Sequence, residues 1–218
     1  LGATGTPDEV IKVPGAKSGL IVFTGLGEHR NSYSPEILRR AAGSASRALA
    51  GTNAATFALP ARDEKDLSAI AEGAGLGSYS FDEFRGRSKS DRKSPLKSVT
   101  IQSKKIDKST ATSLETRTQI IVEYTFLVRD LINTPPSHLT PETFVKAIQN
   151  AVKKSGASGL KLSVLTEAQL KTKGFGGITA VGQGSKNPPR LLQISYSPSK
   201  SVAAKKKSKK YAFVGKGI

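Results

Sequence analysis

Cysteine and tryptophan are absent from this chain of 218 residues, and so is methionine. Without cysteine the protein forms no disulfide and has no thiol nucleophile or thiolate metal ligand, which is compatible with a reducing cytosol. No apolar run approaches the roughly 18 residues that a membrane helix needs, and no signal peptide is readable at Leu1. These absences exclude disulfide scaffolds and thiol enzymes, and they favour a cytoplasmic protein without a membrane partner.

The first residue is Leu1 and not methionine, with which an intact translation product normally begins. The chain instead opens with Leu1-Gly-Ala-Thr4 and stops on an apolar run that ends at Ile218. We therefore expect this sequence to be a piece of a longer protein that continues at both ends.

Positive charge is abundant: the net charge is +17 and the isoelectric point is about 10.1. The basic residues concentrate in two stretches, residues 85–108 and residues 200–210. Such an excess attracts polyanions, but neither stretch is interleaved with the aromatic residues that stack on exposed bases. Two solvated loops are the simpler interpretation. A nucleic-acid-binding or interaction module without catalysis is the alternative.

Short apolar runs alternate with segments of helical periodicity, and this alternation predicts the α/β class. Helix starts are marked by Ser34-Pro35 and Thr140-Pro141, where a capping hydroxyl precedes a proline. Strands are predicted over residues 20–24, 54–59, 97–101, 160–165, 190–196 and 211–214, and further helices over residues 63–74 and 167–171.

The clearest helix begins near Ser113 and carries a continuous apolar stripe from Ile120 to Leu131. It ends at Asn133-Thr-Pro-Pro136, because two prolines cannot continue a helix. We place a domain boundary just before it. Residues 1–112 then form an amino-terminal α/β domain, and residues 113–218 form a linker helix with the first part of a second α/β domain.

Several glycine and histidine positions are weak candidates for a site. Gly25-Leu-Gly27 and Gly73-Ala-Gly75-Leu-Gly77 both fail the dinucleotide fingerprint, so we interpret them as turn glycines. Gly182-Gln-Gly-Ser-Lys186 resembles an anion-binding nest, but a tight connection between packed elements is the simpler interpretation. His29 and His138 have no second histidine or cysteine at ligand spacing, which favours structural or surface roles.

Four further segments occur in a fixed order and carry a family resemblance. They are Asn133-Thr-Pro-Pro-Ser-His-Leu-Thr-Pro141, Gly174-Phe-Gly-Gly-Ile-Thr-Ala-Val-Gly-Gln-Gly-Ser185, Pro188-Pro-Arg-Leu-Leu192 and Val214-Gly-Lys-Gly-Ile218. Together they closely resemble the leucyl (cytosol) aminopeptidase family. The segment Leu76-Gly-Ser-Tyr-Ser-Phe81 is similar to the amino-terminal domain of that family.

This resemblance implies a long helix that joins the amino-terminal domain to the beginning of a catalytic α/β domain. It also implies two divalent metal ions (manganese or zinc), peptide substrates with leucine preferred at the amino terminus, and a homohexamer. Lys216 occupies the position of a metal-ligating lysine in the family. A lysine must lose its proton to ligate, which a nearby dication promotes, and Gly215 and Gly217 leave room for the backbone.

The resemblance places the remaining metal ligands and the catalytic residues of the family beyond Ile218. We therefore expect no catalytic residue within this chain, and we expect residues 1–218 alone to be inactive. The activity implied for the complete protein is two-metal hydrolysis of an amino-terminal peptide bond.

Overall fold

A computed structural model describes residues 2–15, 19–103, 106–198 and 209–216 of the chain. The chain divides into two compact units, Leu1–Asn133 and Thr134–Ile218. Helices and strands are mixed along both units, which confirms the α/β class predicted from the alternation of patterns. Within the described ranges the strands form three small sheets of two strands each.

The described residues of the first unit form two small sheets and three long helices. Strands β1 and β2 form an antiparallel hairpin, whereas β3 and β4 pair in parallel. The elements are β1 (Val10–Gly15), β2 (Gly19–Thr24), α1 (Pro35–Ala48), β3 (Ala54–Phe57), α2 (Glu64–Gly77), a 3-10 helix (Arg87–Lys89), β4 (Ser98–Ile101) and α3 (Lys108–Asn133).

The core of this unit lies where α1 and α2 pack against each other. Leu38 and Ala42 of α1 and Ile70 and Ala74 of α2 are almost completely buried. They belong to one apolar cluster with side chains from the strands. Burial of such side chains is the main favourable term in folding, so this helix pair organises the unit.

Both helices begin where the sequence signals predict. The side chain of Ser34 accepts a hydrogen bond from the backbone N of Ile37, and Pro35 is the first helical residue of α1. The Asp63 carboxylate accepts bonds from the backbone N atoms of Lys65 and Asp66 at the start of α2. Side-chain acceptors at these positions satisfy N–H groups that have no partner within the helix.

The glycines of residues 73–77 do not form a turn, and our interpretation of them was wrong. They continue α2 to Gly77, and their lack of side chains lets α2 approach α1 closely. A Cβ atom at Gly73 would lie 2.1 Å from the carbonyl oxygen of Arg39, and one at Gly77 would lie 2.4 Å from that of Gly43. These glycines are therefore packing residues.

One strand and one helix start also differ from the predictions. Strand β1 (Val10–Gly15) is not among the predicted strands; Pro14 lies inside it, and a proline weakens a strand pattern. Helix α3 begins at Lys108 and not near Ser113. Its start is supported by Asp107, whose carboxylate accepts hydrogen bonds from the backbone N and the hydroxyl of Thr110.

In the second unit, the part of the chain that the structure describes forms three helices and one antiparallel strand pair. The elements are α4 (Pro141–Ser155), β5 (Leu160–Leu165), α5 (Glu167–Thr172), α6 (Gly176–Gly182) and β6 (Leu191–Tyr196). Leu160 pairs with Tyr196 and Leu165 with Leu191, so β5 and β6 are in register over their full lengths. Among the described residues of this unit, the buried apolar side chains are those of Val145, Leu170 and Pro189.

The strand predicted over residues 211–214 is not formed, so this prediction was wrong. Tyr211, Phe213 and Val214 lie in irregular, exposed backbone, with Val214 98% exposed. A strand exists only when a neighbouring strand satisfies its backbone groups, and strand propensity alone supplies no partner. No strand within the described ranges pairs with this segment.

The division into units falls at the carboxyl end of α3, after Asn133. By this criterion the long helix lies with the first unit, whereas the boundary that we predict lies before residue 113. Among the described helices, none combines the length and the apolar character required to cross a lipid bilayer.

Candidate functional site

The segment that begins at Gly174 follows directly from the end of α5. The backbone N of Phe175 donates to the carbonyl of Leu170 at 2.9 Å, and that of Gly174 donates to Lys171 at 3.1 Å. Gly174 has φ of +76°, the left-handed conformation that closes a helix in this pattern of bonds. Since Leu170 is completely buried, the segment leaves the helix from a fixed point.

Two of the four family-like segments meet in the second unit. The segment of residues 174–185 contains helix α6, which ends at Gly182. There Gly182 packs against Pro189, which belongs to the segment of residues 188–192. A Cβ at Gly182 would lie 2.6 Å from Cγ of Pro189, so a side chain there would displace the proline. Residues 182–186 thus act as a tight connection that leads through Pro189 into β6, as we preferred to interpret them.

The segment of residues 133–141 forms a turn and then caps α4. The backbone N of His138 and that of Leu139 both donate to the carbonyl of Pro135. Thr140 and Thr143 form a reciprocal capping box: the backbone N of Thr140 donates to Oγ1 of Thr143 at 2.8 Å, and the backbone N of Thr143 donates to Oγ1 of Thr140 at 3.3 Å. This pair fixes the position at which α4 begins.

Beyond its cap, the first turns of α4 carry an ion pair. Glu142 accepts from Nζ of Lys146 at 2.7 Å, one helical turn along. The hydrogen bond from Lys146, together with its charge, lowers the pKa of Glu142 below its ordinary value, and Arg190 adds to the effect. The carboxylate is therefore ionised at neutral pH and has its own counter-charge.

Lys216 lies in the exposed segment of residues 209–216, next to Gly215. It makes no hydrogen bond or ion pair with another described residue. A Cβ atom at Gly215 would meet no atom within 4 Å. The family role that the resemblance implies for Lys216 therefore stays a prediction. Gly217 lies outside the described residues.

The residues described in this chain do not by themselves make up a site for two metal ions. No group of three or more His, Cys, Asp or Glu side chains that could hold a metal occurs among them. A divalent ion in a protein site is normally held by several oxygen or nitrogen ligands. Lys216 alone does not meet that requirement, so the described part of the chain supplies at most part of such a centre.

The first basic stretch is partly neutralised. Asp82 accepts a hydrogen bond from Nη1 of Arg92 at 2.8 Å and lies 3.5 Å from Nε of Arg85. Ser80 also donates to Asp82, and these contacts lower the pKa of its carboxyl group, with Ser80 the largest cause. Lys104 and Lys105, like Lys200 and Lys205 to Lys207 of the second stretch, lie outside the described residues.

Two family profiles match the chain in succession. The profile described as the cytosol aminopeptidase family, N-terminal domain, matches residues 2–88. The profile described as the cytosol aminopeptidase family, catalytic domain, matches residues 126–218. The amino-terminal similarity thus extends well before residues 76–81, which carry the resemblance in the sequence.

Curated relatives match the whole chain. A probable cytosol aminopeptidase of Streptomyces avermitilis is 43% identical, with 100% of this chain and 43% of the relative covered. One of Corynebacterium diphtheriae is 41% identical, with 100% and 41% covered. A third, of Mycobacterium tuberculosis, is 37% identical, with 100% and 42% covered. The chain therefore spans less than half the length of the relatives it matches.

Solved structures show the same fold. The bottromycin maturation enzyme BotP in complex with Mn is 30% identical, with a TM-score of 0.74 over 90% of this chain and 41% of that one. A mutant of tomato leucine aminopeptidase is 22% identical, with a TM-score of 0.77 over 90% and 40%. The second likeness concerns the fold alone.

These matches do not favour the alternative of a nucleic-acid-binding module without catalysis, because both profiles describe domains of a peptidase family. The two profiles follow each other in the order of amino-terminal and catalytic domain, and the relatives match from end to end of the chain. The chain belongs to the cytosol aminopeptidase family.

Proposed function

We propose that the protein containing this chain is an aminopeptidase that removes amino-terminal residues, with leucine preferred, from peptides. The observation that supports this proposal best is the succession of the two domain profiles, at residues 2–88 and 126–218. In this proposal the chain contains the amino-terminal domain and the beginning of the catalytic domain. The boundary between these two domains lies near residue 113.

The proposal includes a dependence on divalent metal ions. The similar enzyme BotP is named as a complex with Mn, and manganese or zinc, two ions in each catalytic domain, are the metals that we propose. Lys216 would supply one ligand. The described residues hold no further cluster of ligands, so the remaining ligands must come from outside them, and we expect residues 1–218 to be inactive alone.

Location and assembly are part of the same proposal. The relatives are named cytosol aminopeptidases, and we propose that this protein acts in the cytoplasm. We further propose a homohexamer.

The test is an assay of the native full-length protein on leucine amide and leucyl peptides. Hydrolysis should require a free amino terminus, so an acetylated peptide of the same sequence serves as the control. Activity should disappear with a chelator and return with Mn²⁺ or Zn²⁺. A polypeptide of residues 1–218, assayed in parallel, should show none. The absence of any metal-dependent release of amino-terminal residues by the full-length protein would contradict the proposal.

A further inference from the structure

A cavity of about 260 Å³ opens in the first unit beside the contact between α1 and α2. Four arginine side chains line it, Arg39, Arg40 and Arg47 from α1 and Arg129 from α3. A single acidic side chain, that of Asp8, lies among the lining residues. The cavity therefore brings together positive charge from two helices that are far apart in the sequence.

Two of the four arginines have carboxylate partners. Arg39 donates to Glu72 through Nε at 3.1 Å and through Nη2 at 3.0 Å, and it also pairs with Glu36. Arg40 pairs with Asp8. These pairs neutralise Arg39 and Arg40, so the surplus charge of the cavity resides on the other two arginines.

Arg47 is held by a neutral acceptor. Its Nη2 donates to Oγ of Ser44 at 2.9 Å, and the hydroxyl of Ser44 donates to Oδ1 of Asp8 at 2.9 Å. The bond from Ser44, followed by that from Arg40, lowers the pKa of Asp8, to which the charge of Arg47 also contributes. Arg47 forms no ion pair within the described ranges, and its guanidinium remains available to a ligand.

Arg129 is also positioned without a counter-charge. Its Nη1 donates to the carbonyl oxygen of Leu76 at 3.0 Å, and its guanidinium lies 5.1 Å from the centroid of the Tyr79 ring. The hydroxyl of Tyr79 is fixed in turn by a 2.9 Å bond to Asp130. No carboxylate in the described part of the chain forms an ion pair with Arg129.

Apart from Leu76, the remaining wall of the cavity consists of glycines. Gly43, Gly73 and Gly77 line it where the two helices meet. Nη1 of Arg47 lies 3.6 Å from the position that a Cβ of Gly43 would occupy, which places this guanidinium over the glycine wall. A ligand in this cavity could therefore contact the helix backbone at the glycines and, at the same time, the guanidinium groups of Arg47 and Arg129.

We propose that this cavity binds a small multivalent oxyanion, of the phosphate or carboxylate type, between the guanidinium groups of Arg47 and Arg129. The planar fork of arginine matches the geometry of both oxyanions, and two guanidiniums already held by hydrogen bonds lose little freedom on binding. This inference concerns a site in the first unit and does not depend on peptidase activity.

The test is calorimetric titration of the native full-length protein with inorganic pyrophosphate and, separately, with citrate. The two probes distinguish phosphate from carboxylate recognition. The variants are Arg47→Gln and Arg129→Gln, and the control is Arg87→Gln, which removes the same charge from the 3-10 helix of the same unit. Because a hydrogen bond to a charged group contributes about 1.5–3 kcal/mol, each cavity variant should weaken binding by at least about tenfold.

One outcome supports the site, and three would overturn it. Saturable binding of one anion per chain, lost in both cavity variants and kept in Arg87→Gln, supports the site. Equal affinities in all three variants would show general attraction to a basic protein and would overturn it. Either an unchanged constant in one cavity variant or the lack of saturable binding to both probes would overturn it as well. Arg47→Lys, which keeps the charge but not the planar fork, should bind more weakly than the wild type.

Discussion

The carboxylate of Asp66 accepts three hydrogen bonds from a single residue, Arg62. The donors are the backbone N of Arg62 at 3.0 Å, its Nε at 2.8 Å and its Nη2 at 3.3 Å. The Asp66 side chain is 1% exposed, whereas that of Arg62 is 50% exposed. The bonds from Arg62, which are a larger effect than burial, lower the pKa of Asp66.

Replacement of Asp66 by Asn should destabilise the first unit by about 2 kcal/mol at pH 7, since the charged acceptor of these bonds is lost. The pKa of Asp66 is lower in the folded than in the unfolded protein, where an aspartate titrates near ~3.9. The stabilisation is therefore complete above that value and is lost as the pH falls through the lowered folded pKa.

Urea unfolding of the wild type and Asp66→Asn at pH 7 and near pH 3 measures this effect. The difference between the two free energies of unfolding should shrink at the lower pH. Asp91→Asn, at an exposed position, should change stability by less than about 0.5 kcal/mol. A difference that stays constant with pH would contradict the role of the charge.

Gly73→Ala should destabilise the protein by about 3 kcal/mol or more, because backbone atoms cannot move aside as a flexible side chain can. Its Cβ would lie 2.1 Å from the carbonyl oxygen of Arg39, so α1 and α2 would have to separate. Thermal unfolding followed by circular dichroism checks this. Gly176→Ala is the control, since no atom lies within 4 Å of that Cβ, and its midpoint should stay the same or rise slightly. Equal midpoints for both variants would refute the packing role.

Thr140→Ala should lower stability by about 1 kcal/mol, the usual effect of losing a helix cap. The substitution removes the acceptor of the Thr143 backbone N–H. Amide hydrogen exchange should show faster exchange in the first turn of α4 while the core of the first unit is unaffected. Thr172→Ala, in which only a bond to the Ala168 carbonyl is lost, is the matched control. Unchanged exchange at the start of α4 would show that the capping box contributes nothing.

Lys216→Ala in the full-length protein should reduce the bound metal per chain and lower hydrolysis of leucyl substrates by at least about 100-fold, if Lys216 is a ligand. Lys216→Arg should fail as well, because an arginine side chain does not lose its proton in proteins. Lys210→Ala removes the same charge from the same exposed segment and should leave both quantities unchanged. Normal metal content in Lys216→Ala would exclude the proposed role.

Capping residues and prolines predicted many of the helix ends, because each of them affects the backbone within a few residues of its own position. Ser34 with Pro35 marks the start of α1, and Pro135 with Pro136 marks the end of α3. The predicted start of α3 lies too late in the chain, because the first turns of this helix are polar and show no apolar stripe. The remaining signal for its start is Asp107, whose carboxylate caps the helix. A Ser/Thr/Asp/Asn search for helix caps would have found it.

Features that depend on distant parts of the chain could not be predicted in this way. The closeness of Gly73 to Arg39 requires two helices to meet, and the pattern of Gly-x-Gly alone led to a turn. The cavity that joins Arg47 to Arg129 depends on the same arrangement. The role of Lys216 rests on family resemblance, and it stays a prediction.

The two units bury apolar side chains very unequally. Most of the buried apolar residues among those described lie in the first unit. In the second unit they are Val145, Leu170 and Pro189, whereas Ile194 and Tyr196 of β6 are exposed. Ribosomes deliver the amino-terminal unit first, and domains generally fold as they emerge. We therefore expect the nascent first unit to become resistant to proteases early, whereas the exposed apolar side chains of β6 in the second unit are the kind of surface that chaperones bind.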